Sequence, residues 1–391
     1  MIEIFDNRNT SHAKTGCDTS LFATKYVTAA KNFHQSIPGY EPTNLHPLPV
    51  LAQSLGLSAI WVKDESTRFD LNAFKGLGAS YAIACLLGER LGLKQLNFSE
   101  LTSVQARKKI GNLVFATATD GNHGRGVAWA AEQLDQQAAI FLPSHAAPFR
   151  VERIRQHGAN TTVTQTNYDE SVRLVASEAE KNGWVLVQDT AWEGYEDVPI
   201  WIMQGYLTMF AEAIEQLHGQ VPTHVFIQAG VGSLAAALQG FLVEKYGDKR
   251  PLLVVVEPTT MASYFLSVKV GDGQSHTISD AHDNTIMACL AAGENSPLAW
   301  PILRDYADFL VCCNDEITEV GMRTLGRPAG LDPRIVSGES GAVTSGVLVS
   351  TGSNERLVKQ LLLDDDSKVL LFSTEGAGDP ISYKRITGIE P

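Results

Sequence analysis

Residues 224–228 (HVFIQ), the turn Ala229-Gly230-Val231-Gly232-Ser233 and the run 234–245 (LAAALQGFLVEK) decide how this chain folds. Val225, Phe226 and Ile227 carry no charge and favour an extended backbone, so the segment reads as a buried strand. Glycines punctuate the turn, and the Ala- and Leu-rich run after it has the composition of a helix. The next strand signal, 252–257 (LLVVVE), follows within a dozen residues. A strand, a helix and a second unbroken apolar strand make one turn of a parallel α/β sheet.

The same alternation extends in both directions. Strands are expected at 59–63 (AIWVK), 113–117 (LVFAT), 138–142 (AAIFL), 161–164 (TTVT), 185–188 (VLVQ), 309–313 (FLVCC) and 369–373 (VLLFS). Helices are expected at 124–134, 148–157, 168–182 and 200–217. The fold class is therefore α/β with two doubly wound open sheets, a smaller domain inserted into a larger one. The division reads as 1–80 plus 198–391 for the large domain and 81–197 for the small one. Crossings between them are expected near 80–91 and at 188–199 (QDTAWEGYEDVP), and 270–284 reads as a long polar loop. No repeat of fixed period and no low-complexity tract is visible.

Composition limits the function. The 391 residues are 44% hydrophobic and 19% charged, enough to bury a large core. Lys and Arg number 31 against 44 Asp and Glu, a net charge of −13 that repels nucleic-acid phosphates and anionic membranes. The five cysteines are scattered with no Cys-x-x-Cys, so neither a zinc site nor a disulfide framework can be read, and no metal is expected. The N-terminus lacks a basic start with an apolar run, and no stretch approaches the roughly 20 apolar residues of a membrane helix. A cytoplasmic protein without nucleic-acid or membrane partners is expected.

Ligands of open α/β sheets bind at the carboxyl ends of strands, and three segments there carry unusual residues. Gly230-Val231-Gly232-Ser233-Leu234 could turn its backbone N–H groups onto a phosphate at a helix N-terminus without Lys or Arg, or could be only a tight turn. It is not G-x-G-x-x-G, because residue 235 is alanine, and no Gly-Lys-Ser/Thr follows. Thr119-Asp120-Gly121-Asn122-His123 could bind a small polar ligand or merely cap the next helix. Lys75, in Asn72-Ala73-Phe74-Lys75-Gly76, begins an apolar helix among small residues; desolvated there, it could act as a neutral amine, or it could be an ordinary exposed lysine. Together the three supply what a pyridoxal-phosphate enzyme needs: a Schiff-base lysine, a phosphate cradle and an asparagine for the ring hydroxyl.

The arrangement resembles the fold-type II pyridoxal-phosphate enzymes, the group of threonine dehydratase, serine racemase and tryptophan synthase β. The resemblance runs from about Asn44 to Tyr383 and includes Gln188-Asp189-Thr190, Glu339-Ser340-Gly341-Ala342 and Ser373-Thr374-Glu375-Gly376. It implies that Lys75 carries the Schiff base to pyridoxal 5′-phosphate and acts as base at Cα. It also implies that Gly230, Val231, Gly232, Ser233 and Leu234 bind the phosphate, Asn122 the ring hydroxyl, and Thr374 or its neighbour Ser373 the pyridine nitrogen. Where the dehydratases have serine this chain has Asp120. In this it is similar to members that eliminate ammonia from 2,3-diaminopropionate, giving pyruvate and two ammonia. Asp120 would serve as the base on the opposite face, so that both the D and L forms react, and Asp189 would meet the extra ammonium, with Thr119 also against substrate. His123 and Tyr168 read as packing residues and Glu339 as set back from the ring. A homodimer is expected by analogy.

Two other readings have distinguishing features. A threonine or serine dehydratase shares the cofactor and the elimination, but would gain little from Asp120. A protein that only stores the cofactor needs no second base. A nicotinamide enzyme would need the complete glycine fingerprint that neither turn supplies.

Overall fold

The computed structural model describes residues 1–10, 15–144, 146–278 and 285–391. Tertiary contacts divide the chain into two compact units. One comprises Met1–Ser20, Pro42–Ala73 and Phe210–Pro391, the other Leu21–Glu41 and Phe74–Met209.

The first unit is built on a mixed sheet of seven strands among the described residues, in the order Ile2–Asp6, Phe309–Cys313, Leu252–Pro258, His224–Gln228, Lys368–Ser373, Ala59–Asp64, Leu45–Pro47. The five central strands run parallel, and the two outermost pair antiparallel with their neighbours. Val62, Val254, Val256, Phe309 and Val311 are fully buried and pack with Val343 and Val347 of helix Glu339–Gly352. Each such side chain contributes about 1.5–3 kcal/mol by leaving water. The sequence reading contains the five inner strands. It misses Ile2–Asp6 and Leu45–Pro47, because short antiparallel edges lack the unbroken apolar run that marks a strand buried on both faces.

Beneath this sheet's strand Ala59–Asp64 lies a charged core that the sequence does not announce. Arg68, 1% exposed, donates to Glu65 and to both carboxylate oxygens of Glu212, at 2.6–2.9 Å. Lys63 Nζ adds 2.7 Å bonds to Glu212 and to the Thr43 carbonyl. The chain then turns through three non-glycine residues in the left-handed region, Phe69, Asp70 and Asn72. Asn72 is held by the Gly376 N–H at 3.0 Å, and Ala73 forms a bridge with Glu375. A left-handed backbone is costly for such residues, and this ionic clamp with its bridge holds the chain leading to Lys75.

The second unit contains a four-stranded parallel sheet among the described residues, in the order Asn160–Val163, Gln137–Leu142, Val114–Ala118, Val185–Leu186. Residues 80–91, expected as a crossing, lie inside one continuous helix, Lys75–Leu91. Its small residues explain why: a Cβ at Gly78 would stand 2.5 Å from the Tyr206 ring, so this helix packs closer than a larger residue would allow. The contact pattern changes at residues 73/74 and 209/210, where composition suggests 80/81 and 197/198. Residues 21–41 join this unit through His34, whose ring nitrogens meet Thr208 Oγ1 at 2.7 Å and the Leu77 carbonyl at 2.9 Å. Of the 270–284 run, residues 279–284 lie outside the described residues. No helix among the described residues is long and apolar enough to cross a membrane.

Candidate active site

In the second unit, Lys75 opens the helix Lys75–Leu91, with Phe74 as its cap. Helix Asn122–Gln133 crosses close to this point because residue 126 is glycine; a Cβ there would meet the Lys75 carbonyl group at 2.9 Å. The Lys75 ammonium lies 2.5 Å from Asp189 Oδ2 and within 5.3 and 5.9 Å of the ring centroids of Phe74 and Tyr206. The lysine is therefore one half of a buried ion pair rather than the isolated neutral amine that desolvation alone suggests.

Asp189 is the hub of this cluster. Tyr168 donates to its Oδ1 at 3.3 Å, and His123 Nδ1 lies 3.8 Å from its Oδ2. Burial would push this carboxyl up, but the charges of His123 and Lys75 with the bonds from Lys75 and Tyr168 hold it below the ordinary carboxylate range. It is ionised throughout the physiological range. Burial pushes the His123 imidazole down, and its Nε2 donates to the Val187 carbonyl at 2.7 Å. With a proton on Nε2, the ring turns Nδ1 toward Asp189. Tyr168 is itself oriented: Gln188 Oε1 accepts from Thr117 Oγ1 and the Ala118 N–H, which aims Gln188 Nε2 at the Tyr168 oxygen, 3.1 Å away.

The turn after strand Val114–Ala118 carries the other expected residues. Thr119 Oγ1 accepts from the N–H groups of Gly121 and Gly124, both at 2.9 Å, so it caps helix Asn122–Gln133. Asp120 is half-buried, its carbonyl taken by Arg150 at 2.8 Å, and its charge acts on Tyr168. Asn122 is half-buried at the first turn of the helix. Lys75, Asp189, His123, Tyr168 and Tyr206 are thus brought together, although the sequence points to only the first two.

In the first unit, Gly230 to Gly232 join strand His224–Gln228 to helix Ser233–Tyr246. Gly232 has φ +93°, and a Cβ there would fall 2.0 Å from the Tyr264 hydroxyl. That hydroxyl donates to the Val231 carbonyl at 2.8 Å, and the Ser296 N–H donates to the same oxygen at 3.0 Å. With its carbonyl tied back at Val231, the turn sets glycine backbone at the helix N-terminus, where N–H groups can meet an anion. Tyr264 is in turn held by Glu257, which accepts from the Tyr264 and Phe265 N–H groups at 2.9 and 2.7 Å. Burial raises Glu257 to about 8.

Thr374 and Ser373 have different surroundings. Ser373 Oγ donates to Ser337 Oγ at 2.8 Å, whereas Thr374 Oγ1 accepts from Gln228 Nε2 at 2.7 Å. Ser340 and Glu375 bond to each other at 2.8 Å, with Cys289 3.5 Å from the second carboxylate oxygen. Glu339 is buried at the start of helix Glu339–Gly352. Gln228, Tyr264 and Glu375 carry no local signal in the sequence that would single them out.

In the first unit a glycine turn at a helix N-terminus and a hydroxyl at the end of a parallel strand suit a pyridine-ring cofactor with a phosphate, and in the second a buried lysine suits its aldehyde. Residues 37–375 match the pyridoxal-phosphate dependent enzymes, and the chain belongs to that family. It is 45% identical to the diaminopropionate ammonia-lyase of Salmonella typhimurium, covering 95% of this chain and 94% of that one. It is 46% identical to the enzyme of the same name from Escherichia coli K12, over 98% and 96%. The crystal structure of the Escherichia coli enzyme with an aminoacrylate-PLP azomethine reaction intermediate superposes with a TM-score of 0.89 at 44% identity, covering 99% and 97%. A threonine deaminase from Solanum lycopersicum, 18% identical with a TM-score of 0.74 over 99% and 98%, shares the fold.

Proposed function

We propose that the chain eliminates ammonia from 2,3-diaminopropionate, both D and L, giving pyruvate and a second ammonia after hydrolysis. The observation that carries this reading is a pair of carboxylates, Asp120 and Asp189, in the unit that presents Lys75. A substrate with a second ammonium group suits two carboxylates; one with a hydroxyl gains little from them.

Bound pyridoxal 5′-phosphate supplies the conjugated electron sink that acidifies the substrate's Cα–H. The chain's own residues do the rest. The N–H groups of residues 230–234 bind the phosphate, Asn122 the ring hydroxyl and Thr374 the ring nitrogen. Ser373, engaged with Ser337, is the weaker candidate for that last role. Lys75 would hold the cofactor's aldehyde carbon and, when displaced by substrate, would take the Cα proton of one enantiomer. Asp120 takes it from the opposite face for the other. Asp189 holds positive nitrogen at the reacting end: that of Lys75 in the arrangement described, and the substrate's β-ammonium once Lys75 is engaged. An unprotonated amine would have to leave as the strongly basic amide ion, whereas the ammonium leaves as neutral ammonia, so keeping that nitrogen protonated favours C–N cleavage. Tyr168 and His123 orient Asp189.

We assign the phosphate and the ring nitrogen to residues of the first unit, and the Schiff base, the ring hydroxyl and the substrate to residues of the second. A homodimer, a cytoplasmic location and a part in amino-acid catabolism complete the proposal; five free cysteines agree with a reducing compartment. Pyruvate release from D- and L-2,3-diaminopropionate, with L-serine and L-threonine in parallel, tests it. Release from both diaminopropionate enantiomers and little from the hydroxy-amino acids is expected. Release chiefly from L-serine would make the chain a dehydratase.

A further inference from the structure

We infer that Gln228 is a positioning residue that fixes the polarity of the Thr374 hydroxyl, making it a hydrogen-bond donor to the cofactor's ring nitrogen. The inference rests on the reading that Thr374 meets that nitrogen.

Gln228 ends strand His224–Gln228 and is 2% exposed. Its Nε2 lies 2.7 Å from Thr374 Oγ1, 3.0 Å from the Ser340 carbonyl and 3.4 Å from the Phe372 carbonyl. Carbonyl oxygens only accept, so the amide must turn its NH2 end toward them; the reversed amide would set oxygen against two oxygens. Thr374 Oγ1 is therefore an acceptor from Gln228, and its own hydrogen must go elsewhere. Nε2 has two hydrogens for three oxygens, and the shortest contact gives one of them to Thr374 Oγ1, which makes no other hydrogen bond among the described residues. The hydrogen is left to a third group, and a ring nitrogen facing it can only accept. A nitrogen that accepts keeps its lone pair and stays unprotonated.

The other end of the amide supports this. Gln228 Oε1 is buried without a hydrogen-bond partner. An unpaired buried acceptor destabilises the fold, whereas an apolar side chain of the same shape would not. A glutamine here is therefore best explained by what its NH2 does. With the ring nitrogen unprotonated the electron sink is weaker, and the carbanion expels its β-substituent before protonation at other positions competes.

The test is the 15N chemical shift of the ring nitrogen in holoprotein loaded with ring-labelled pyridoxal 5′-phosphate, followed against pH. In the unsubstituted protein the nitrogen is expected to give the shift of an unprotonated, hydrogen-bonded pyridine. In Gln228→Met the Thr374 oxygen loses the donor that keeps its own hydrogen turned away, and ring-nitrogen protonation is expected to become about tenfold easier, roughly one pH unit. Gln228→Asn, one methylene too short to reach Thr374, is expected to do the same and serves if the methionine variant does not retain cofactor. Thr374→Val should also move the shift, and in that background Gln228→Met should add nothing. If Thr374→Val moves the shift while both Gln228 variants leave it unchanged, the inference falls and the placing of Thr374 stands. An equal shift from Gln228→Met with and without Thr374 would make Gln228 a packing residue and also overturn it. If Thr374→Val itself has no effect, the placing of the ring nitrogen is wrong and the inference falls with it.

Discussion

Asp189 Oδ2 stands 2.5 Å from Lys75 Nζ, with the two side chains 5% and 16% exposed. Asp189 closes strand Val185–Leu186 by three residues and Lys75 opens a helix more than a hundred residues earlier, so only the folded unit makes them partners. The pair gives Lys75 a fixed direction and a counter-charge, and it leaves a carboxylate at the reacting nitrogen when the lysine is engaged elsewhere.

Asp189→Asn should therefore lower kcat/KM on diaminopropionate by about 10²–10⁴, the range for a lost acid–base or charge-positioning group. Because Asp189 is held ionised well below the ordinary carboxylate range, it should contribute no acid limb to the pH profile near pH 4–6. The discriminating measurement is the ratio of activities on diaminopropionate and L-serine. A fall confined to diaminopropionate supports a contact with the β-ammonium, and an equal fall on both substrates assigns Asp189 to Lys75 alone.

Asp120→Asn should separate the enantiomers. The form whose Cα proton faces Lys75 should keep most of its turnover, while the other should lose about 10²–10⁴ in kcat. Steady-state rates on pure D and L substrate decide the matter. Full activity on both would remove Asp120 from the chemistry.

Gly232→Ala places a Cβ 2.0 Å from the Tyr264 hydroxyl in a backbone with φ +93°. Strain of about 1–3 kcal/mol is expected, and the turn must shift at the residues proposed to hold the phosphate. The readout is cofactor affinity by equilibrium dialysis, expected to weaken about tenfold or more, with the melting temperature measured alongside. An alanine variant that binds cofactor normally would show that this turn does not hold it.

The cluster beneath the sheet makes a prediction about acid stability. Burial would raise the Glu212 carboxyl, but Arg68 and Lys63 bring it down to about 2 from an ordinary 4.5. Because the folded-state value is depressed, the stabilisation is complete above about pH 4.5 and is lost as the pH falls toward 2. Glu212→Gln should flatten that part of a denaturant-unfolding series against pH. Arg68→Met leaves Glu65 and Glu212 short of a partner and should cost about 3–5 kcal/mol at neutral pH. If it costs nothing, the clamp does not hold the chain before Lys75.

Much of this molecule could be read from local sequence. Buried parallel strands must be unbroken apolar runs, so 224–228, 252–257, 309–313 and 369–373 declare themselves. Gly230 and Gly232 mark a tight turn between a strand and a helix, and Lys75, Asp120, Asn122 and Asp189 are polar residues beside apolar runs, so these too can be picked out locally. What the sequence could not hold was pairing over distance. Nothing local distinguishes Gln228 from any strand-ending glutamine, or Tyr168 from a packing tyrosine. The direction of a hydrogen bond is decided by what the partner's other atoms already do. Periodicity and glycine placement are properties of neighbours along the chain, and the sequence determined them alone. Which buried polar group faces which, and with what polarity, follows from strands and helices far apart in sequence meeting in space, and only the tertiary structure decided it.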